Sequence, residues 1–345
     1  MNYKTLKLHN PLVTTYPHHA SLFSILDLDQ DQRSLSWVFH NFLLTILHHD
    51  DNGGYGLDLC SQYYPWHKFK FSTCPMLICR VYQKEIISNK WELHDFLVEL
   101  IKKENYIYFI RNIPDGYAHE VFISGFDLSE RKFLCHDFWD GIYEGKWISF
   151  DEITMMEDAN FELEWATDYL NGVWAIQKTK QYKEPNEFYY ETILNFSKGD
   201  LIDILKEYIG KSDTVRKILK KDNRFLGIEI YDIMIDMLEK QKNKLNKEPF
   251  IIHPFHLLYE HKKLLSLAIN NFFDDSSLNK ELELLINEAL ILRNLVLYCN
   301  CFIAEHGIYK KYDVIIEKII HLKSIEFEII STLIKDSDDS SIISY

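Results

Sequence analysis

Residues 119–139 read HEVFISGFDLSERKFLCHDFW, which is the pattern of two buried strands joined by a tight turn. Apolar residues dominate both halves, and the polar segment DLSER separates them. Folding the hairpin at residues 128–131 brings the start of the first strand towards the end of the second. His119 and Asp137 are therefore predicted to be neighbours. A carboxylate beside an imidazole fixes its tautomer and stabilises the imidazolium, as a general base requires.

Alternatives to this pair stay open. His136 and Asp140 are rivals for the two roles, because they lie beside Asp137 in sequence. A histidine at a strand edge with an unrelated turn carboxylate would also produce the same pattern. The spacing alone does not separate these readings.

The composition excludes several classes of protein. The chain has 345 residues, is 47% hydrophobic and carries a net charge of −14. A sizeable core is expected, whereas a general nucleic-acid or anionic-membrane surface is not, because those need a basic footprint. No apolar run approaches the ~18–20 residues of a membrane span, and we expect no signal peptide. Six cysteines in a chain of this length favour a reducing cytoplasm.

The order of elements predicts an α+β domain over residues 1–182 and an all-α helical bundle over residues 183–345. Helical spacing runs through residues 20–49, and residues 55–80 look irregular. The predicted later elements of the first domain are a helix at 91–103 and strands at 106–111, 119–126, 132–139, 147–153 and 172–178. The predicted helices of the second domain are 188–210, 212–221, 226–245, 254–273, 278–302 and 311–335.

A loop runs into a helix at residues 15–26, where the helix N-terminus would depress the pKa of a cysteine thiol. No cysteine is present there; the polar side chains are His18, His19, Ser21 and Ser24. Ordinary helix packing or capping explains these residues more simply. Cys74 is a candidate thiol from elsewhere, although its apolar neighbours predict burial.

Metal-ligating combinations are weak, so no metal site and no bound cofactor are predicted. His256 and Glu260 share a helix face, but a third ligand is not evident. Nothing in the spacing of the set His18, His19, His119 and Asp137 demands a metal. Cys299 and Cys301 would lie on different faces of one helix.

The pattern HEVFISGFD followed by FLCHDF, after a helical N-terminal region, resembles the papain-like family of butirosin-biosynthesis H-type acyltransferases and double-glycine bacteriocin-processing peptidases. Segments like YEHKK at 259–263 and LRNLVL at 292–297 occur in helical C-terminal extensions of some members. The resemblance implies a papain-like cysteine-protease-type fold. It implies transfer of an acyl group from a carrier-protein thioester to an amine or water, with His119 as general base and Asp137 as its orienting residue.

The family's nucleophilic cysteine has no counterpart, because Pro17 or His18 stands at its position. Three hypotheses follow. His119 could act directly on the incoming amine, since a thioester is already activated. Ser21 or Cys74 could replace the nucleophile. The chain could instead be a catalytically inactive relative that binds a carrier protein, a partner enzyme or a pathway product.

The expected partners are an acyl or peptidyl carrier protein, whose phosphopantetheine arm would present the thioester, and a small-molecule substrate. An acidic carrier would need a local basic patch, for which the candidates are Lys84, Lys90, Lys102 and Lys103. An ordinary solvated helix face explains these lysines more simply. The apolar faces of the helical half are compatible with a docked partner, a homodimer or a lid.

Overall fold

The computed structural model describes residues 1–49, 55–61, 70–112, 118–139, 141–155, 172–179, 194–212, 216–217, 224–243, 250–306 and 311–342. The chain divides into two compact units. Unit 1 comprises Met1–Ser34 and Lys68–Tyr190, and unit 2 comprises Leu35–His67 and Glu191–Tyr345. The mixed α+β class and the helical C-terminal region are confirmed.

The strands are β1 (Tyr3–Thr5), β2 (Leu44–His49), β3 (Tyr55–Cys60), β4 (Leu77–Gln83), β5 (Tyr106–Asn112), β6 (Ala118–Asp127), β7 (Lys132–Trp139), β8 (Ile142–Ser149), β9 (Gly172–Lys178) and β10 (Arg224–Leu226). The helices are α1 (Pro17–Ile25), α2 (Gln32–Phe42), α3 (Lys84–Lys90), α4 (Leu93–Lys102), α5 (Lys198–Tyr208), α6 (Ile230–Asn243), α7 (His253–Asn270), α8 (Ser276–His306) and α9 (Tyr312–Ile342).

Unit 1 is built on an antiparallel sheet with the strand order β4-β9-β5-β6-β7-β8, and β1 adds to the edge of β6. The predicted hairpin is present as β6 and β7. Its turn is stabilised by Asp127, whose carboxylate accepts hydrogen bonds from the backbone nitrogens of Ser129 and Glu130. A hydrogen bond from the Ser129 hydroxyl at 2.6 Å, together with those backbone bonds, lowers the pKa of the Asp127 carboxyl group. Local side-chain chemistry therefore explains why the chain reverses here.

The two faces of this sheet pack against different helices. Successive strand residues point to opposite faces, so Phe109, Val121 and Ile123 face one way and join the apolar core formed with α4. The opposite face packs against α1. The predicted amphipathic helix at 91–103 is therefore correct, and its buried stripe covers the core face.

Unit 2 contains a small sheet that the sequence pattern did not predict. β2 lies between β10 and β3, and both pairings are antiparallel. The predicted helix over residues 20–49 is wrong beyond Phe42, where the chain enters β2, and residues 55–80 include β3 and the start of β4. The apolar run of β2 is compatible with a helix or a strand, and its pairing with the distant β10 favours the strand.

The units also differ from the predicted domains. Residues 35–67 group with the C-terminal half, and the predicted boundary at 182/183 lies outside the described residues. α5 begins at Lys198, where Ser197 and Asp200 form a capping box, and residues 188–193 of the predicted helix lie outside the described residues. The backbone nitrogen of Ser197 donates to the Asp200 carboxylate at 2.8 Å, and that of Asp200 donates to the Ser197 hydroxyl at 3.2 Å.

A buried charged network ties the helices of unit 2 together. The Lys262 ammonium donates to the Glu326 carboxylate, and both side chains are completely buried. Lys262 also contacts the Tyr208 hydroxyl at 3.2 Å and Nδ1 of His261 at 3.0 Å, and Tyr231 donates to Glu326 at 2.6 Å. Burial lowers the pKa of Lys262, although Glu326 acts in the opposite direction. The contacts among these side chains therefore offset the cost of removing the Lys262 and Glu326 charges from water.

Replacing Lys262 by Met should destabilise the protein by about 3–5 kcal/mol, because Glu326 would remain buried without its cation. Urea unfolding of the wild type and variant measures this difference in free energy. Lys263→Met is the matched control, since Lys263 is only partly buried, and should cost less than about 1 kcal/mol. A loss for Lys262→Met as small as the control's would contradict a structural role for the network.

Candidate functional site

The hairpin brings His119 and Asp137 into contact. Nδ1 of His119 lies 3.1 Å from Oδ1 and 3.2 Å from Oδ2 of the carboxylate. Phe122 pairs with His136 across the two strands, so alternation places His119 and Asp137 together on the opposite face. The contact thus follows from the register of β6 and β7 and requires no distant part of the chain.

Asp137 is almost completely buried, and groups from three strands surround its carboxylate. Besides His119 on β6, the backbone nitrogen of Phe138 donates to Oδ1 at 2.7 Å. Nη2 of Arg111, at the end of β5, lies 3.5 Å from Oδ2. A buried carboxylate needs such partners, because burial without them is costly. Arg111 is itself 5% exposed and lies over the ring of Trp139 at 5.5 Å.

His119 is the solvent-accessible member of this group, with 33% of its side chain exposed. The hydrogen bond to Asp137 raises the pKa of His119 above its ordinary value, although burial opposes this. Because Nδ1 faces a carboxylate, it carries the proton and donates it, and Nε2 is left as the basic nitrogen. The arrangement can therefore accept a proton at Nε2 and stabilise the resulting imidazolium.

The structure does not bring His18 or Ser21 into this group. Glu120 follows His119 in β6 and therefore faces the other side of the sheet, where Nδ1 of His18 lies 3.9 Å from its carboxylate. Burial would raise the pKa of Glu120, but the interaction with the nearby His18 imidazole lowers this pKa overall. His18 thus forms a separate pair with Glu120 on the α1 face.

Ser21 is held inside α1. Its hydroxyl donates to the carbonyl oxygen of Pro17 at 2.6 Å and contacts the hydroxyl of Tyr143 at 3.1 Å. Ser24 makes the equivalent helix bond to Ala20 at 2.7 Å. In such helix serines, the hydroxyl donates its hydrogen bond to a backbone carbonyl oxygen of the preceding turn. The geometry therefore favours the packing interpretation of both serines.

The rival His136 has a different environment. Its Nε2 lies 2.7 Å from the Ser124 hydroxyl, and burial lowers its pKa to about 4. A Cβ atom at Gly145 would lie 2.7 Å from the ring, so the opposing strand leaves room only for glycine. His136 thus lacks the carboxylate that distinguishes His119. The other rival, Asp140, lies outside the described residues.

Burial weakens the cysteines as nucleophiles. Burial raises the pKa of the Cys74 thiol well above its ordinary value, and it raises the pKa values of Cys79 and Cys135 to about 12. Since the thiolate is the reactive form, these side chains would be poor nucleophiles near neutral pH. Cys299 is buried and Cys301 exposed on α8, consistent with the prediction that they occupy different faces. His256 and Glu260 do share a face, at 3.2 Å.

Arg111 contacts Asp137 and Glu120 contacts His18, but the sequence analysis singled out neither Arg111 nor Glu120. Arg111 has the same strand parity as Ile107 and Phe109, which lie in the core. A cation at a core-facing strand position requires a buried anion, so this parity could have indicated a partner such as Asp137. Glu120 gave no comparable signal.

Comparison of the chain with protein-family models, curated proteins and solved structures found no match in any of the three. The family resemblance of the hairpin therefore stays a prediction. Among the described residues, no helix is both long and apolar enough to cross a membrane.

Replacing Asp137 by Asn should lower the pKa of His119, because the largest influence that raises it would be lost. Titration of the His119 ring proton signals by NMR measures this change. Asp151→Asn, which removes an exposed carboxylate, is the control. An unchanged His119 pKa in Asp137→Asn would show that the two groups do not interact in solution.

The same contact predicts a pH-dependent stability. The raised folded-state pKa of His119 means that its protonation stabilises the fold below the unfolded-state value, and this contribution is lost as pH rises through the folded-state pKa. His119→Gln should therefore cost more stability near pH 5 than near pH 9. Equal costs at both pH values would contradict the assignment.

Proposed function

We propose that this protein is a papain-like acyltransferase or thioester-cleaving enzyme in which His119 is the general base and Asp137 orients it. The observation that carries the proposal is the carboxylate–imidazole contact that leaves Nε2 of a partly exposed histidine as the basic nitrogen. This is the arrangement by which hydrolases and acyltransferases activate a nucleophile. The motif resemblance of the hairpin supplies the reaction class.

The proposed reaction passes an acyl group from a thioester to an amine or water. Nε2 of His119 removes a proton as the amine or water attacks the thioester carbonyl carbon. A C–N or C–O bond forms, the C–S bond breaks, and the imidazolium returns the proton to the departing sulfur. Asp137 stabilises the imidazolium during this step. We propose a carrier-protein phosphopantetheine arm as the acyl donor and a small molecule as the acceptor.

Direct transfer without an acyl-enzyme intermediate fits the described side chains best. Cys74 is buried, and burial raises the pKa of its thiol. The Ser21 hydroxyl donates a hydrogen bond to the Pro17 carbonyl oxygen. A thioester is sufficiently activated for a positioned nucleophile to attack it without covalent catalysis. None of the six cysteines forms a disulfide bond, which is consistent with our proposal that the protein works in the cytoplasm.

A second candidate is a catalytically inactive binding or scaffold protein of the same pathway. The observation that favours it is the start of α1, where Pro17 and the Glu120-paired His18 occupy the position of the family's thiol. In that case the His119–Asp137 contact would stabilise the fold, and carrier or product binding would be the function.

Replacing His119 by Gln should reduce acyl transfer by about 10²–10⁴-fold, because a positioned general base contributes that much to the rate. The assay mixes the purified protein with a panel of acyl-pantetheine thioesters, with and without small amines, and measures amide or acid product. His321→Ala is the matched control, since His321 is exposed on α9. Circular dichroism would verify that both variants fold.

Intact-mass analysis of the same mixtures distinguishes the mechanisms. Product without a protein adduct supports direct transfer. An acyl adduct mapped to Ser21 or Cys74 would establish a covalent intermediate instead. No product with any thioester, or a His119→Gln variant as active as the wild type, would overturn catalysis by His119 and favour the binding protein.

A further inference from the structure

A pocket in unit 1 lies where two strands share one edge of β6. β5 pairs with β6 as far as Ile123, and β1 pairs with the same strand from Gly125 to Asp127. The ladder is therefore continued by a different segment of the chain. The end of β1 and the start of β5 meet beside the end of β9, and their side chains enclose a concavity.

The close approach of β1 depends on Gly125. A Cβ atom at this position would lie 2.7 Å from the carbonyl oxygen of Lys4, which backbone cannot accommodate without moving. The β6–β7 ladder also changes register between Ile123 and Gly125. The bulge and the glycine together let the N-terminal strand continue the sheet edge and form one wall of the pocket.

The pocket has a volume of about 380 Å³, which is within the range of small-molecule sites. Its charged lining consists of Lys4, Lys7 and Lys178 against a single carboxylate, Glu104. Lys4 is already engaged, since its ammonium donates to the Lys102 carbonyl at 2.9 Å and lies 3.9 Å from Glu104. Within the described part of the chain, neither Lys7 nor Lys178 forms an ion pair with a carboxylate.

The local charge contrasts with that of the whole protein. The chain has a net charge of −14, yet this pocket presents an excess of cations. Burial lowers the pKa of the nearby His9, and the charges of Lys178 and Lys7 lower it further. The carboxylate of Asp27 acts in the opposite direction. A concave site with two uncompensated ammonium groups attracts a compact anion of high charge.

We propose that this pocket is a binding site for a phosphate group, held by Lys7 and Lys178. Thr5 and Thr179 also line the pocket, and threonine hydroxyl groups can hydrogen-bond to phosphate oxygens. The group could be inorganic phosphate or the phosphate of a phosphopantetheine arm. Only the second source depends on the proposed acyl transfer; phosphate binding itself does not.

Isothermal titration of the full chain with inorganic phosphate at low ionic strength tests the site, because salt would screen exposed lysines. We expect saturable binding by the wild type and at least a tenfold weaker affinity for K7Q/K178Q. K280Q/K335Q is the control, since it removes the same charge from exposed positions of α8 and α9, and should bind as the wild type does.

Glu104→Gln provides a test that a folding defect cannot imitate. This change removes the only carboxylate of the lining, so phosphate should bind several-fold more tightly. The proposal would be overturned by absence of saturable binding by the wild type, by an affinity of K7Q/K178Q equal to that of the wild type, or by an equal loss of affinity in K280Q/K335Q. An affinity of E104Q no higher than that of the wild type would also contradict it.

The source of the phosphate is decided by titration with phosphopantetheine and with pantetheine. Tighter binding of phosphopantetheine than of inorganic phosphate, with no binding of pantetheine, would assign the pocket to the arm. Equal affinities for phosphopantetheine and inorganic phosphate would assign it to the free anion. Binding of pantetheine with the same affinity as phosphopantetheine would overturn recognition through the phosphate group. These titrations measure no turnover, so they stand or fall separately from catalysis by His119.

Discussion

The buried carboxylate of Asp137 constrains the arrangement of three neighbouring strands of unit 1. A charge that is 3% exposed must be compensated, and its partners come from three consecutive strands of the sheet. A slip of one residue in either pairing would turn His119 or Arg111 to the opposite face and leave the carboxylate unpartnered. The register of β5, β6 and β7 and the protonation of His119 are thus consequences of one requirement.

Much of this arrangement could be predicted because it is local in sequence. The β6–β7 hairpin has a polar turn with its own stabilising aspartate, so the contact between His119 and Asp137 follows from strand pairing alone. β5, β9 and α4 were likewise recognisable from periodicity. Arg111 could have been found by the same reasoning, since its parity places a cation on the core side of a strand.

The elements that were missed depend on partners distant in sequence. The run that forms β2 is apolar enough for a helix or a strand, and its pairing with β10, which lies nearly 180 residues further along the chain, decides the outcome. The same limit applies to α1. Its sequence does not reveal that it covers the face bearing Glu120 rather than the face bearing His119. The positions of His18 and Ser21 relative to His119 therefore could not be predicted from the sequence.

Two of the buried charged groups show why one is a candidate for chemistry and the other is not. In unit 2, Lys262 and Glu326 are completely buried and satisfy each other together with Tyr208, Tyr231 and His261. A closed network of this kind fixes helices but offers no atom to a substrate. In unit 1, Asp137 is equally buried, but its imidazole partner is one-third exposed and keeps its second nitrogen for another molecule. Burial of a charge alone therefore indicates structure, whereas a buried charge that orients an accessible base indicates a site.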